Sequence, residues 1–299
     1  MSQTQTDGKI TLTKLFEART LRVPSFQRAY AWESEPHLRD YLNDLRSHPS
    51  TAEKKYFFGT ILLAEAKEVC NQALREADIV DGQQRLTTTC TFVVAALEKL
   101  RNAENHRQFT EDCKDIFIQK SGGRRKIKTI DEDDGFFDRF ILGDGRAQEQ
   151  DCDTPSKHRL LKAKNYFQEA LAELPVDEVV RLLNVLRESH ILLYTVETNA
   201  EATQIFELQN DRGKRLSDLE ALKSFLMHKI YLHANENTED VLNIVRQDFA
   251  AIYRASEQIE SLLGSPDEDQ ILAYHCIAFE HHLTLENDSK GWQIGRAHV

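Results

Sequence analysis

The residues best suited to chemistry in this sequence are Asp81, Gly82, Gln83, Gln84 and Arg85. They follow the β-branched run Ile79-Val80, so a strand would turn on Asp-Gly and feed a helix that opens with Gln-Gln-Arg. A helix N-terminus carries backbone N–H groups with no intrahelical partner, which makes it an anion site. Arg85 in the first turn is a cation where the helix dipole prefers an anion, and a phosphate beside it would resolve that conflict. In such a site Arg85 would grip phosphate through its planar fork and Gly82 would let the backbone approach closely. Asp81 could hold magnesium or position water, with Gln83 and Gln84 donating to phosphate oxygens or orienting that water. Asp-Gly is also ordinary turn chemistry, and on these five residues alone both readings stand.

Three further groups could reach the same ligand. Gln27 and Arg28 lie in an extended stretch around Pro24 and are candidates for phosphate or base contact, with Tyr30 and Trp32 available for stacking or for the core. If that stretch is a regular strand, Gln27 and Arg28 face opposite sides. Asn210 and Arg212 sit in Asn-Asp-Arg-Gly, which also reads as a left-handed helix stop, and Lys223 lies in the helix that follows. The run Lys120-Ser-Gly-Gly-Arg124-Arg125-Lys126-Ile-Lys128 is the one concentrated basic patch. Arg124, Arg125 and Lys126 could meet DNA phosphates, or form a solvated run balanced by Asp131 to Asp134.

The elements that must position these groups follow from periodicity. Tyr56 to Leu63 and Ala77 to Val80 read as buried strands, and Leu86, Cys90, Val93, Leu97 and Leu100 give the next helix an apolar face. Ser34-Glu35-Pro36 reads as a helix start with Ser34 as N-cap, followed by an apolar face of Leu38, Tyr41, Leu42 and Leu45. Beyond residue 101 the chain is mainly helical, with a strand expected at Lys126–Ile130, a helix opening on Asp131 to Asp134, and a strand over Ile191–Val196. A helix carrying Ile205, Phe206 and Leu208 ends at Gly213, and Ser217 with Glu220 forms a capping box for its successor.

The 299 residues carry a net charge of −11, with 40% hydrophobic and 29% charged residues. That balance reads as soluble and globular, and it argues against bulk electrostatic binding of nucleic acid, so any DNA contact must be local. Five separated cysteines without a CxxC pair suit a reducing cytoplasm, and no signal core or membrane-length apolar run is present. His275, His281 and His282 fall in an apolar helical stretch, where core or surface placement is expected rather than metal binding. The C-terminal Ile294-Gly-Arg-Ala-His-Val299 matches the peptide encoded by one frame of a common sequencing adapter, so residues 294–299 are expected to be an artefact on a fragment whose true chain continues.

Four blocks together resemble the GmrSD-type restriction endonuclease N-terminal domain: Val23-Pro-Ser-Phe-Gln-Arg-Ala-Tyr-Ala-Trp32, Tyr56-Phe-Phe-Gly-Thr60, Asp81-Gly-Gln-Gln-Arg-Leu-Thr87 and Asn210-Asp-Arg-Gly-Lys-Arg-Leu216. The resemblance spans about residues 10–230. It implies an α+β fold, with a ParB/sulfiredoxin-like mixed α/β core over residues 1–100 and a mainly helical region over 101–293 that completes the domain. It further implies a regulatory domain in phage defence that binds and hydrolyses a nucleoside triphosphate, with magnesium, in a modification-dependent restriction system. Its partners would be modified DNA and a His-Asn-His-type nuclease domain or subunit. Self-association is compatible with the sequence, and a membrane is not expected. Asp81, Gln84 and Arg85 would be catalytic, and Gln27, Arg28, Gly82, Gln83, Arg85, Asn210 and Arg212 would bind the nucleotide. Glu220 stands where the family pattern has Asp. A non-catalytic ParB-like sensor of DNA or nucleotide is the alternative.

Overall fold

The computed structural model describes residues 5–49, 55–65, 75–120, 123–196, 217–233, 238–263 and 268–279. The chain divides into two compact units, Met1–Phe206 and Glu207–Val299.

The first unit is built on a six-stranded mixed sheet. Its strands are β1 (Gln5–Thr11), β2 (Arg19–Arg22), β3 (Phe57–Glu65), β4 (Arg75–Asp81), β7 (Ile127–Lys128) and β8 (His190–Val196), and β5 (Gln119–Lys120) and β6 (Arg124–Arg125) form a separate small ladder. The order across the large sheet is β1-β8-β3-β4-β2-β7. β8 runs parallel to β3 and antiparallel to β1, and β4 runs antiparallel to β3 and parallel to β2. β7 and β8 follow residue 100 in sequence, so the strands of the first hundred residues are completed by two from the later region. The strand expected at Lys126–Ile130 is shorter, only β7, and just before it the Lys126 carbonyl accepts from the Leu21 amide at 2.8 Å.

Helix α3 (Gln83–Leu100) is the centre of this unit. The sequence marks one apolar face, but twelve of the eighteen residues are buried, because α4 (Arg107–Phe117), α6 (Pro155–Ala172) and α7 (Val176–Glu188) pack around it. A helix with so little solvated face belongs to the interior. Its buried threonines are satisfied locally: Thr89 and Thr91 donate to the carbonyls of Arg85 and Thr87, and Thr88 and Thr89 meet the hydroxyls of Tyr30 and Tyr41. Phe92, Phe167 and Tyr41 pack edge to face or tilted beside it, with centroids 5.4–6.0 Å apart.

Two local expectations are corrected. The stretch around Pro24 is not a continuous strand: β2 stops at Arg22, and the Gln27 amide closes a turn on the Pro24 carbonyl at 3.0 Å. The helical turn Ser34–Leu38 has Glu33 at its N-cap position rather than Ser34, and the Glu33 amide donates to His37 Nδ1 at 3.2 Å. The following α2 (Arg39–Ser47) buries Tyr41, Leu42 and Leu45 as its spacing predicts. Helices α1 (Leu12–Ala18) and α5 (Asp131–Phe136) complete this unit, α1 being capped by the Thr11 side chain.

In the second unit α8 (Asp218–His233), α9 (Thr238–Leu263) and α10 (Glu268–Phe279) bury Leu219, Phe249 and Tyr253 together. The expected capping box opens α8: the Glu220 amide donates to Ser217 Oγ and the Ser217 amide to Glu220 Oε2, each at 3.2 Å.

Candidate functional site

The strand–turn–helix expected at Asp81–Arg85 is present. β4 ends at Asp81, Gly82 takes a left-handed φ of +96°, and α3 begins at Gln83. Glycine is required here twice over. The positive φ disfavours any L side chain, and a Cβ at this position would lie 2.3 Å from Ile61 Cδ1. The first helical bond runs from the Leu86 amide to the Gly82 carbonyl at 3.0 Å, so the amides of the opening turn precede the hydrogen-bonded ladder.

The two glutamines clamp the segment that follows the Pro24 turn onto this helix end. Gln84 acts as an extra rung of backbone, donating through Nε2 to the Ala29 carbonyl at 3.1 Å and accepting from the Ala31 amide at 2.9 Å. Gln83 Nε2 donates to the Arg28 carbonyl at 3.1 Å, and Gln27 Nε2 donates to the Val80 carbonyl at 2.8 Å. Residues separated by more than fifty positions are thereby fixed side by side. The turn brings Gln27 and Arg28 to the α3 N-terminus together, where a regular strand would have split them between two faces.

Arg85 does not point along the helix axis. Its guanidinium folds onto β3, donating to the carbonyls of Phe58 at 3.2 Å and Thr60 at 2.7 Å, with Asp81 Oδ2 at 3.4 Å. The cation that seemed to need an external anion is met by protein oxygens. Gly59 makes the seat: a Cβ there would stand 2.0 Å from Arg85 Nη1, and its φ is +118°. A glycine inside a strand signals close approach of another group, and Gly59 carried that signal without being read as part of the site.

On the other side of the helix end lies a crevice lined by Arg28, Ala29, Tyr30, Gln83, Gln84, Thr129 and Asp133, among others. Asp133 is only 1% exposed, and burial pushes its carboxyl up to about 6. Ser156 donates to its Oδ1 at 2.8 Å. Among the described residues nothing donates to Oδ2 or bonds the buried Thr129 hydroxyl. In the sequence Asp133 is one of four acids at a helix start. The missed signal is its spacing three residues before Phe136, which puts it on the buried side.

The other candidates lie elsewhere or outside the described residues. Asn210 and Arg212 are in the latter group, as are His281, His282, the helix expected to end at Gly213 and residues 294–299. The basic run divides: Arg124 is half-buried, Arg125 is paired bidentately with Asp134 at 2.6 and 3.0 Å, and Lys126 is 2% exposed, donating to the Phe16 carbonyl at 2.8 Å. Lys223 packs its ammonium 5.6 Å from the Tyr253 ring centre, and His275 is exposed. Among the described residues no three acidic, histidine or cysteine side chains gather as a metal site, and no helix is long and apolar enough to cross a membrane.

Compared with known proteins, residues 12–227 match the family model described as GmrSD restriction endonuclease, N-terminal domain. No curated protein matches the chain.

Proposed function

The chain belongs to the GmrSD restriction endonuclease N-terminal domain family, and from that premise we propose that it is the nucleoside-triphosphate-binding and hydrolysing regulatory module of a modification-dependent DNA restriction system. The observation that carries this reading is the joining of three features at one point: a glycine-turned helix N-terminus, the Arg28 backbone clamped beside it, and an adjoining crevice lined by Arg28, Gln83, Gln84 and the buried Asp133. Phosphoryl transfer asks a protein mainly for positioning and charge neutralisation. Here the opening amides of α3 and the Arg28 guanidinium would hold phosphate oxygens, and Gly82 keeps a side chain out of their approach. Asp81 offers one hard oxygen, which fits a magnesium ligated otherwise by the substrate's phosphates. Bound there, magnesium would neutralise phosphate charge. Arg85, Gln83 and Gln84 contribute by building the site, since their polar heads grip backbone.

In this reading the core is of the ParB/sulfiredoxin type, turnover gates a His-Asn-His-type nuclease domain or subunit, and modified DNA is the signal. The mixed sheet and the strand–turn–helix support that placement of the core. The test is to measure binding and hydrolysis of the four ribonucleoside triphosphates by the purified chain, with and without modified DNA. Hydrolysis abolished by Asp81→Ala with binding retained is expected; no binding and no hydrolysis under any condition would refute the reading.

A non-catalytic sensor is the second reading. It is favoured by one specific observation, that the polar heads of Gln83, Gln84 and Arg85 are already bonded to protein carbonyls or amides. Nucleotide binding without turnover above background would select it.

A further inference from the structure

Leu21, Leu63, Ala77, Ile79 and Ile127 belong to the main core, so the residues that alternate with them along β2, β3, β4 and β7 leave by the other face of the sheet. On that face Thr20, Arg22, Ala64, Glu76, Asp78 and Lys128 line a cavity of about 160 Å³. Its floor is made by two small, nearly buried side chains, Thr20 and Ala64, set among long charged ones. The strand pairing gives the charge a direction. Asp78 stands beside Arg22 and Arg22 beside Lys128 across β4, β2 and β7, with Glu76 beside Thr20. Carboxylates therefore form the β4 wall, and cations the β2 and β7 side.

Arg22 is largely neutralised, since its Nε and Nη2 donate to the two oxygens of Asp78 at 2.7 and 3.0 Å. Glu76 and Lys128 are both exposed, and among the described residues neither has a hydrogen bond or an ion pair. One open carboxylate and one open ammonium on opposite sides suit a zwitterion. A net anion such as phosphate would meet Glu76, Asp78 and the field of Asp131, and a divalent metal would sit beside Arg22 and Lys128. The walls lie two strand spacings apart, roughly 10 Å before the reach of their side chains is taken off. The volume is well below the ~300 Å³ at which sites for drug-sized ligands begin. We propose that this cavity binds a free α-amino acid, with its ammonium toward Glu76 and its carboxylate toward Lys128. It shares no lining residue with the crevice beside α3, so the inference stands apart from the nucleotide reading.

Contacts to exposed charges are individually weak and screened by salt, so the affinity belongs near the millimolar range. The experiment is titration calorimetry of the whole chain at low ionic strength with the common L-amino acids, each one that binds being followed by its N-acetyl and its amide derivative. At least one amino acid is expected to bind at about 1 mM or tighter, and blocking either end should weaken it about tenfold or more. Glu76→Gln should weaken the parent amino acid to a similar degree while leaving its N-acetyl derivative unchanged, and Lys128→Met should do the same with respect to the amide. Because both side chains are exposed, each variant should keep the native Tm. No binding of any amino acid at about 10 mM, blocked derivatives that bind as well as their parents, or variants that bind the parents as the native chain does would overturn the proposal.

Discussion

Arg85 shows how far a residue's type can be read without its partners. Its charge and its place in the first turn are plain in the sequence, but its seat is made by Phe58, Gly59 and Thr60, some twenty-five positions earlier, and no local pattern reports that packing. The seat predicts coupling. Arg85→Ala should destabilise the fold by roughly 2–4 kcal/mol through lost charge-assisted bonds, and Gly59→Ala by a similar amount through its positive φ and displacement of the guanidinium. Because both break one contact, the double variant should lose clearly less than the sum, as urea unfolding of the four proteins would measure. Additive losses would mean that the two residues act separately. Asp133 gives a pH prediction. Its carboxyl lies at about 6 in the fold against 3.8 for an ordinary Asp, raised by burial and opposed by the Ser156 bond and Lys157, with Glu132 and Asp153 adding to the rise. Below about pH 4 both folded and unfolded chains hold that proton. As pH rises to about 6 the unfolded chain releases it first, so this group subtracts stability, by about 2–3 kcal/mol once the folded carboxyl ionises. Asp133→Asn should therefore gain stability over the native chain at neutral pH and lose that advantage near pH 4. A native chain that matches the variant at every pH would contradict the assignment.

At the scale of elements, β3, β4 and the start of α3 are legible because apolar runs, Asp-Gly and helical spacing all agree there. The segment between Arg22 and Glu33 is not, because its path is set by the side chains of Gln83 and Gln84 rather than by its own alternation. Gln84→Leu should release it. The Ala31 amide should then exchange with solvent at least about tenfold faster, while the amides inside α3 keep their protection. Unchanged Ala31 exchange would show that the clamp is incidental. Gly82→Ala tests the turn itself: the strained φ and the overlap with Ile61 Cδ1 should cost roughly 2–4 kcal/mol, seen as a lower Tm. The capping box at Ser217 and Glu220 was legible because both partners lie within one turn of helix.

For the molecule as a whole, membership of the GmrSD N-terminal domain family and the mixed α+β architecture agree with the sequence reading, and the acidic charge of −11 still confines any DNA contact to a local patch. What the whole fold adds is a division of labour around α3. Arg85 and the two glutamines hold the helix end in place, and in the proposed function Arg28 at the adjoining crevice meets the ligand. The most direct measurement of that claim is nucleotide affinity, by titration calorimetry, of the native chain and of Arg28→Ala with its Tm checked in parallel. The account predicts triphosphate binding by the native chain, weakened about tenfold or more in Arg28→Ala at an unchanged Tm. Equal affinity in the two proteins, or no triphosphate binding by the native chain, would contradict it.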